Sequence, residues 1–148
     1  MSPLLSWLPP LVWMAVILVF SSDAFSGAQT GGVLAPLLRW LVPSITGAQI
    51  EIVHALIRKT AHFTEYGILA GLWLRTLVRK RVLALPAAAW VAFALTVAWA
   101  CVDELHQSTV ASRTGSAVDV AIDTAGAAVV LIGARVAARW NARGTVAA

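Results

Sequence analysis

The chain has 148 residues, room for one domain, of which 59% are hydrophobic and only 12% charged, with a mean hydropathy of +0.81. That composition excludes an ordinary soluble fold and makes lipid the solvent for most of the surface. The net charge of +4 does not point to nucleic acid as a partner, because the Lys and Arg residues flank apolar spans instead of forming a soluble basic face.

A hydrocarbon core of roughly 30 Å takes about 20 residues of helix, and four stretches qualify, at about 4–22, 49–78, 82–105 and 117–138. The first, from Leu4 to Ser22, has Pro9 and Pro10 near its start, where proline suits a helix. Its first ten residues hold no Lys or Arg, which favours a retained membrane helix over a cleaved signal peptide. Residues 23–48 are rich in Gly, Ser and Pro, and the apolar patch Val33–Val42 is too short to span. A short helix along the membrane surface and simple packing under the bundle are both compatible with it.

The second span is the unusual one. Glu51, His54, Arg58, His62 and Glu65 recur at spacings of three and four, so they form one stripe of a helix that also carries Lys59. That stripe must face protein or water. The third span is free of charge until Asp103-Glu104-Leu105-His106-Gln107, and a short loop with Arg113 follows. The fourth carries Asp119 and Asp123 in its first two turns and ends in Arg135, Arg139 and Arg143, with a frayed tail expected after Trp140. The single Cys101, inside an apolar run, is expected to be a passive core thiol and permits no internal disulfide. Trp7, Trp40, Trp73 and Trp140 are expected as interfacial anchors, and Trp90 and Trp99 as packing residues. Gly126 and Gly133 suit close helix contact.

Short connections favour an all-α membrane protein, its four transmembrane helices in an antiparallel bundle. Seven of the eleven Lys and Arg residues lie in the connection Arg75, Arg79, Lys80, Arg81 and in the tail, so the positive-inside rule places both termini in the cytoplasm. All seven acids and all three histidines then fall toward the external side, although the rule made no use of them. One Asp, Lys or Arg at a helix centre costs about 2.5–3.5 kcal/mol on the lower scale, so such groups are expected to pair around a wet cavity. The competing reading is a buried polar network that only fixes helix register.

Three kinds of chemistry fit these residues. His62-x-x-Glu65 and Asp103-x-x-His106 place a nitrogen and a carboxylate one turn apart, a spacing usable by a divalent metal such as zinc, iron or manganese. Alternatively His62 or His106 acts as acid and base, with Glu65 or Asp119 orienting the imidazole, while Arg58, Lys59 and Arg113 clamp the phosphate of a lipid. The third kind is a proton relay or a transporter component, which would need a partner because the cytoplasmic halves lack ionisable residues. Tyr66, one turn from His62, is placed to bond into the site.

The segments RKTAHFTEYGILAGL (58–72) and DELHQSTVASRTGSAVDVAIDTAG (103–126), with Ser21-Ser22 before them, resemble the VanZ-like family of bacterial membrane proteins. The resemblance covers most of the chain. It implies a multi-pass protein of the bacterial cytoplasmic membrane and cell envelope, whose namesake is associated with resistance to the glycopeptide antibiotic teicoplanin. The positions that carry it are Arg58, Lys59, His62, Glu65 and Tyr66, then Asp103, Glu104, His106, Gln107, Arg113, Asp119 and Asp123. Position 123 is Asp where the family pattern takes Asn or Asp, which argues against a role specific to an amide. Together these readings lead to an outward-facing site for an anionic envelope lipid or glycolipid. That site could serve binding, hydrolysis or transfer, or non-catalytic envelope assembly, and the sequence sets no oligomeric state.

Overall fold

The computed structural model describes residues 5–80 and 82–144, so Leu4 of the first expected span and Arg81 of the basic connection lie outside the described residues. The chain is helical, with no strand among the described residues. The helices are α1 (Leu8–Phe20), α2 (Gly27–Leu41), α3 (Gly47–Arg79), α4 (Leu85–Thr109) and α5 (Ala117–Gly144), with a 3-10 turn at Asp23–Phe25 between α1 and α2.

Local chemistry sets the boundaries. Pro9 and Pro10 sit in the first turn of α1, where no backbone donor is lost. Ser26 caps α2, accepting from the Gln29 amide at 3.4 Å. Thr46 and Gln49 close a capping box at the start of α3. Three differences from the sequence reading follow. The Gly-rich stretch after residue 26 is a helix of 15 residues, none of them buried. The run Asp103–Gln107 lies inside α4, which continues to Thr109. The expected frayed tail is helical to Gly144.

Length and apolarity suffice for crossing a membrane in Leu85–Thr109 and in Ala117–Arg143. At 13 residues α1 is about 20 Å long, short of the hydrocarbon thickness by itself. With Asp23–Leu41 it forms a pair bent by 70° that is long and apolar enough together. Helix α3, at 33 residues, is the longest, and its polar first half keeps it outside that apolar set. Composition alone therefore supports two or three spans.

Burial is sorted in the way a lipid solvent favours. The apolar residues that α4 buries are all alanines, Ala88, Ala89, Ala92 and Ala100, while Trp90, Val102 and Leu105 face outward. On α5, Ala127 and Leu131 are buried and Val118, Val129 and Ile132 exposed. Large aliphatic groups outside and small ones between helices suit membrane packing, where close backbone approach replaces hydrophobic collapse.

The α3–α5 pair is the closest. A Cβ on Gly126 would overlap the backbone carbonyl of Phe63, and one on Gly67 would lie 3.2 Å from Val130 Cγ2. Lys59 meets Asp119, His62 meets Asp123 and Gly71 meets Val130, so α3 and α5 run side by side in the same direction. Gly133 has open space, so only Gly126 of the expected pair makes such a contact. Trp73, expected at an interface, is buried against Trp7 with ring centroids 6.3 Å apart, while Trp90 is exposed instead of packed inside. Cys101 is exposed, because its position on α4 turns away from the small-residue face.

Candidate functional site

Where α1 ends and α5 begins, four helices bring polar side chains together. Asp103 is 1% exposed and fully partnered: it accepts from Ser21 Oγ at one oxygen and from Gln107 Nε2, 3.2 Å away, at the other. Gln107 Nε2 also donates to Ser21 Oγ at 3.2 Å. This triad clasps the end of α1 to α4. Its neighbour Glu104 accepts from the Ser116 amide at 2.6 Å, tying α4 to the start of α5, while its Oε1 is buried without a hydrogen-bond partner. Only a residue without a side chain fits beside this turn of α4, because a Cβ on Gly115 would lie 2.5 Å from the Glu104 carbonyl oxygen.

His62 Nδ1 lies 3.2 Å from Asp123 Oδ1, and Asp123 is completely buried with Oδ2 unpartnered. One carboxylate oxygen of Glu104, one of Asp123 and one ring nitrogen of His62 all fall within 4.8 Å of one another. Asp119, in the first turn of α5 where the helix dipole favours a carboxylate, is 3.6 Å from Lys59 Nζ.

The loop arginine has a different task from the expected clamp. Arg113 Nη2 donates to the carbonyls of Phe20, Ser22 and Phe25 at 2.5, 3.2 and 2.8 Å, stapling the 3-10 turn to the loop before α5. Burial pulls its pKa below the ordinary arginine value, and Arg58 adds to that effect, against the opposing pull of Asp103, Glu104 and Asp23. Ser112 donates to Asp23 in the same junction.

Two cavities adjoin the cluster. The larger, about 710 Å³, lies between the end of α1, α2 and α3. Phe20, Phe25, Val33, Leu34, Leu37 and Ile57 supply apolar wall, and Arg58, His54, His62, Glu65, Gln107 and Arg113 its polar end. The smaller, about 240 Å³, is lined by Arg58, Lys59, His62, Arg113 and Asp119 among others, and it shares Arg58, His62 and Arg113 with the first. Helix α2 can lie across α3 because Gly27 and Gly31 leave its facing side bare. Cβ atoms there would stand 3.2 Å from Arg58 Nη1 and 3.6 Å from His54 Cε1. Thr30 Oγ1 and His54 Nε2, 2.8 Å apart, join the two helices.

Of the expected site residues, Arg58, Lys59, His62, Glu65, Gln107, Arg113 and Asp119 line these cavities, and Asp103, Glu104 and Asp123 lie behind them. Tyr66 is fully buried and lines neither cavity, its hydroxyl without a hydrogen-bond partner. His106 is exposed on α4, outside the cluster, because the buried face there is centred among Asp103, Glu104 and Gln107, and at about 100° per residue His106 falls roughly 100° round the helix from that centre. The expected metal pairs are therefore rearranged: Glu104, not His106, meets the His62 region. Thr30, and His54 beyond its place on the ionisable stripe, join the site through α2, and only the packing of that helix reveals their contact.

A family model described as VanZ/LLP1 matches residues 6–138 of this chain. No curated protein and no solved structure matches.

Proposed function

This chain belongs to the VanZ/LLP1 family, and from that premise we propose that it is a four-span membrane protein which binds an anionic envelope lipid or glycolipid. The observation that carries this reading is the two-sided character of the larger cavity. Its side chains divide into an apolar wall, of a character that suits a hydrocarbon tail, and an end bearing Arg58, Arg113, His54 and His62 with Glu65 as the sole acid among the described lining residues. Asp103, Glu104 and Asp123 stand behind that surface and Asp119 lines only the smaller cavity, so cations meet a head group entering the larger one first. A volume of about 710 Å³ falls within the roughly 300–1,000 Å³ usual for ligand sites.

Arg58 is the principal anion ligand in this proposal. It is half-buried, and among the described residues no carboxylate lies within ion-pair range of it. Arg113 shapes the site by holding the 3-10 turn. His62, oriented by Asp123, is the group placed for proton transfer should the head be hydrolysed or transferred. A passage for transport is less well supported, since the core beyond Tyr66 is closed by Leu69, Ala70, Leu74, Leu77 and Ala88.

For the four-span arrangement, α3 turns His54, Arg58, His62 and Glu65 to the cavities and its second half to the core, so its polarity is compatible with crossing. Contacts of Trp7 with Trp73 and of Trp13 Nε1 with the Glu65 carbonyl, at 2.9 Å, set α1 antiparallel to α3. The basic ends of α3 and α5, with Arg75, Arg79, Lys80, Arg135, Arg139 and Arg143, then face the cytoplasm, and the site opens outward.

The test uses protein in lipid nanodiscs and three probes: a long-chain monophosphate, the matching alcohol, and inorganic phosphate. Tight binding of the first alone is expected, with Arg58→Gln weakening it about tenfold or more. Equal retention of alcohol and monophosphate, or no effect of Arg58→Gln, would overturn the proposal.

A further inference from the structure

We propose that His62, Glu104 and Asp123 form a binding site for one divalent first-row transition ion, with Mn2+ and Zn2+ the best matches. The three residues come from α3, α4 and α5, so the ion would sit at the junction of the three longest helices. The inference stands apart from the lipid reading and does not require it.

Geometry supplies the first argument. Ligands bonded at about 2.0–2.2 Å to one ion stand roughly 3.0–3.4 Å apart when adjacent and up to about 4.4 Å apart when opposite. The 3.2 Å between His62 Nδ1 and Asp123 Oδ1 matches the adjacent spacing, and all three donors lie within 4.8 Å of one another.

Unsatisfied polar atoms supply the second. Glu104 is 5% exposed and Asp123 completely buried, and each keeps one buried oxygen without a hydrogen-bond partner. Among the described residues no Lys or Arg nitrogen comes within ion-pair range of either carboxylate. Lys59 is beside Asp119, and Arg113 spends Nη2 on carbonyls. A buried carboxylate left unpaired is strongly unfavourable, and a dication removes that cost at both residues together.

Donor chemistry narrows the ion. One imidazole and two carboxylates combine the nitrogen preferred by zinc with the oxygen preferred by manganese, and the lack of sulfur disfavours Cu(I). Of the three donors His62 lines the smaller cavity, which gives an entry path to the cluster. An ion there would face Arg58 and Lys59 across the same space, so it would polarise an oxygen of any anion they hold.

Full-length protein, stripped with chelator in mild detergent and reloaded with Mn2+ or Zn2+ alone, tests the site by elemental analysis and thermal unfolding. About one equivalent per chain is expected, with a rise in melting temperature on loading. Glu104→Gln combined with Asp123→Asn should weaken binding about 100-fold or more, whereas Glu51→Gln, at an exposed position on α3, should bind as wild type. If the double variant does not fold, wild type alone decides. Well below one equivalent with both ions and no change in melting would overturn the proposal, as would full loading of a folded double variant. A double variant more stable than stripped wild type yet unresponsive to metal supports the site, since it shows the carboxylates repelling each other when no ion is bound.

Discussion

The two halves of α3 live in different surroundings although they belong to one unbroken helix. From Tyr66 to Leu77 it buries Leu69, Ala70, Trp73, Leu74 and Leu77 against the alanine face of α4 and the small residues of α5. From His54 to Glu65 its inward face is polar and only half-buried, and cavities replace packing. The second half stabilises the bundle by close contact. The first is held in place by that contact and so can keep polar groups poised for a ligand, at the expense of local packing.

Substitutions can break this division in order of severity. Gly126→Leu should have the largest effect, since even a Cβ there overlaps the Phe63 carbonyl and forces α3 from α5 at the boundary between the halves. Overpacking typically costs about 1–3 kcal/mol and occasionally more, with little room here for relaxation against backbone. Loss of monodisperse protein, or a much lower melting temperature, is expected, and wild-type melting would refute the close approach. Asp103→Ala comes next. It strips Ser21 Oγ and Gln107 Nε2 of their acceptor in a buried setting, at about 1–3 kcal/mol. Faster amide hydrogen exchange should appear at the end of α1 while the apolar half of α3 keeps its protection. Arg113→Lys should be milder: the carbonyls are all met by the terminal nitrogen Nη2, which the shorter lysine side chain falls short of replacing, so exchange rises in residues 21–26 with little change in global melting. Gly133→Ala, facing open space, should stay within about 0.5 kcal/mol of wild type.

The helical class and the ionisable stripe of α3 were legible because spacing along one helix is a local property. The family resemblance rested on the same residues, and the family match over residues 6–138 agrees with it. What escaped was whatever depends on the phase of one helix against another. Asp103, Glu104, His106 and Gln107 lie within five consecutive positions, and only packing against α1 and α5 decides that His106 alone of these four points away. Arg113 looked like a free cation because carbonyl acceptors leave no signature in a sequence. A short helix was one reading of Val33–Val42, but the first half of α2 was hidden by its glycines, which weaken helix propensity yet give Arg58 and His54 a surface to cross. Trp73 and Trp90 exchanged roles for a related reason: the ends of a span do not say which side of it meets lipid.

Topology has its own check. Ser112→Cys and Lys80→Cys, each in a Cys101→Ala background that removes the exposed native thiol, should label oppositely in intact cells, with position 112 reached by a membrane-impermeant reagent and position 80 protected.

The most direct test of the central claim is photo-crosslinking in nanodiscs with a long-chain monophosphate that carries a diazirine in its chain. Adducts should concentrate on Val33, Leu37 and Ile57 in the apolar wall of the larger cavity and disappear when unlabelled monophosphate competes. Adducts spread over Val129, Ile132 and the rest of the outward surface, with no competition, would contradict the account.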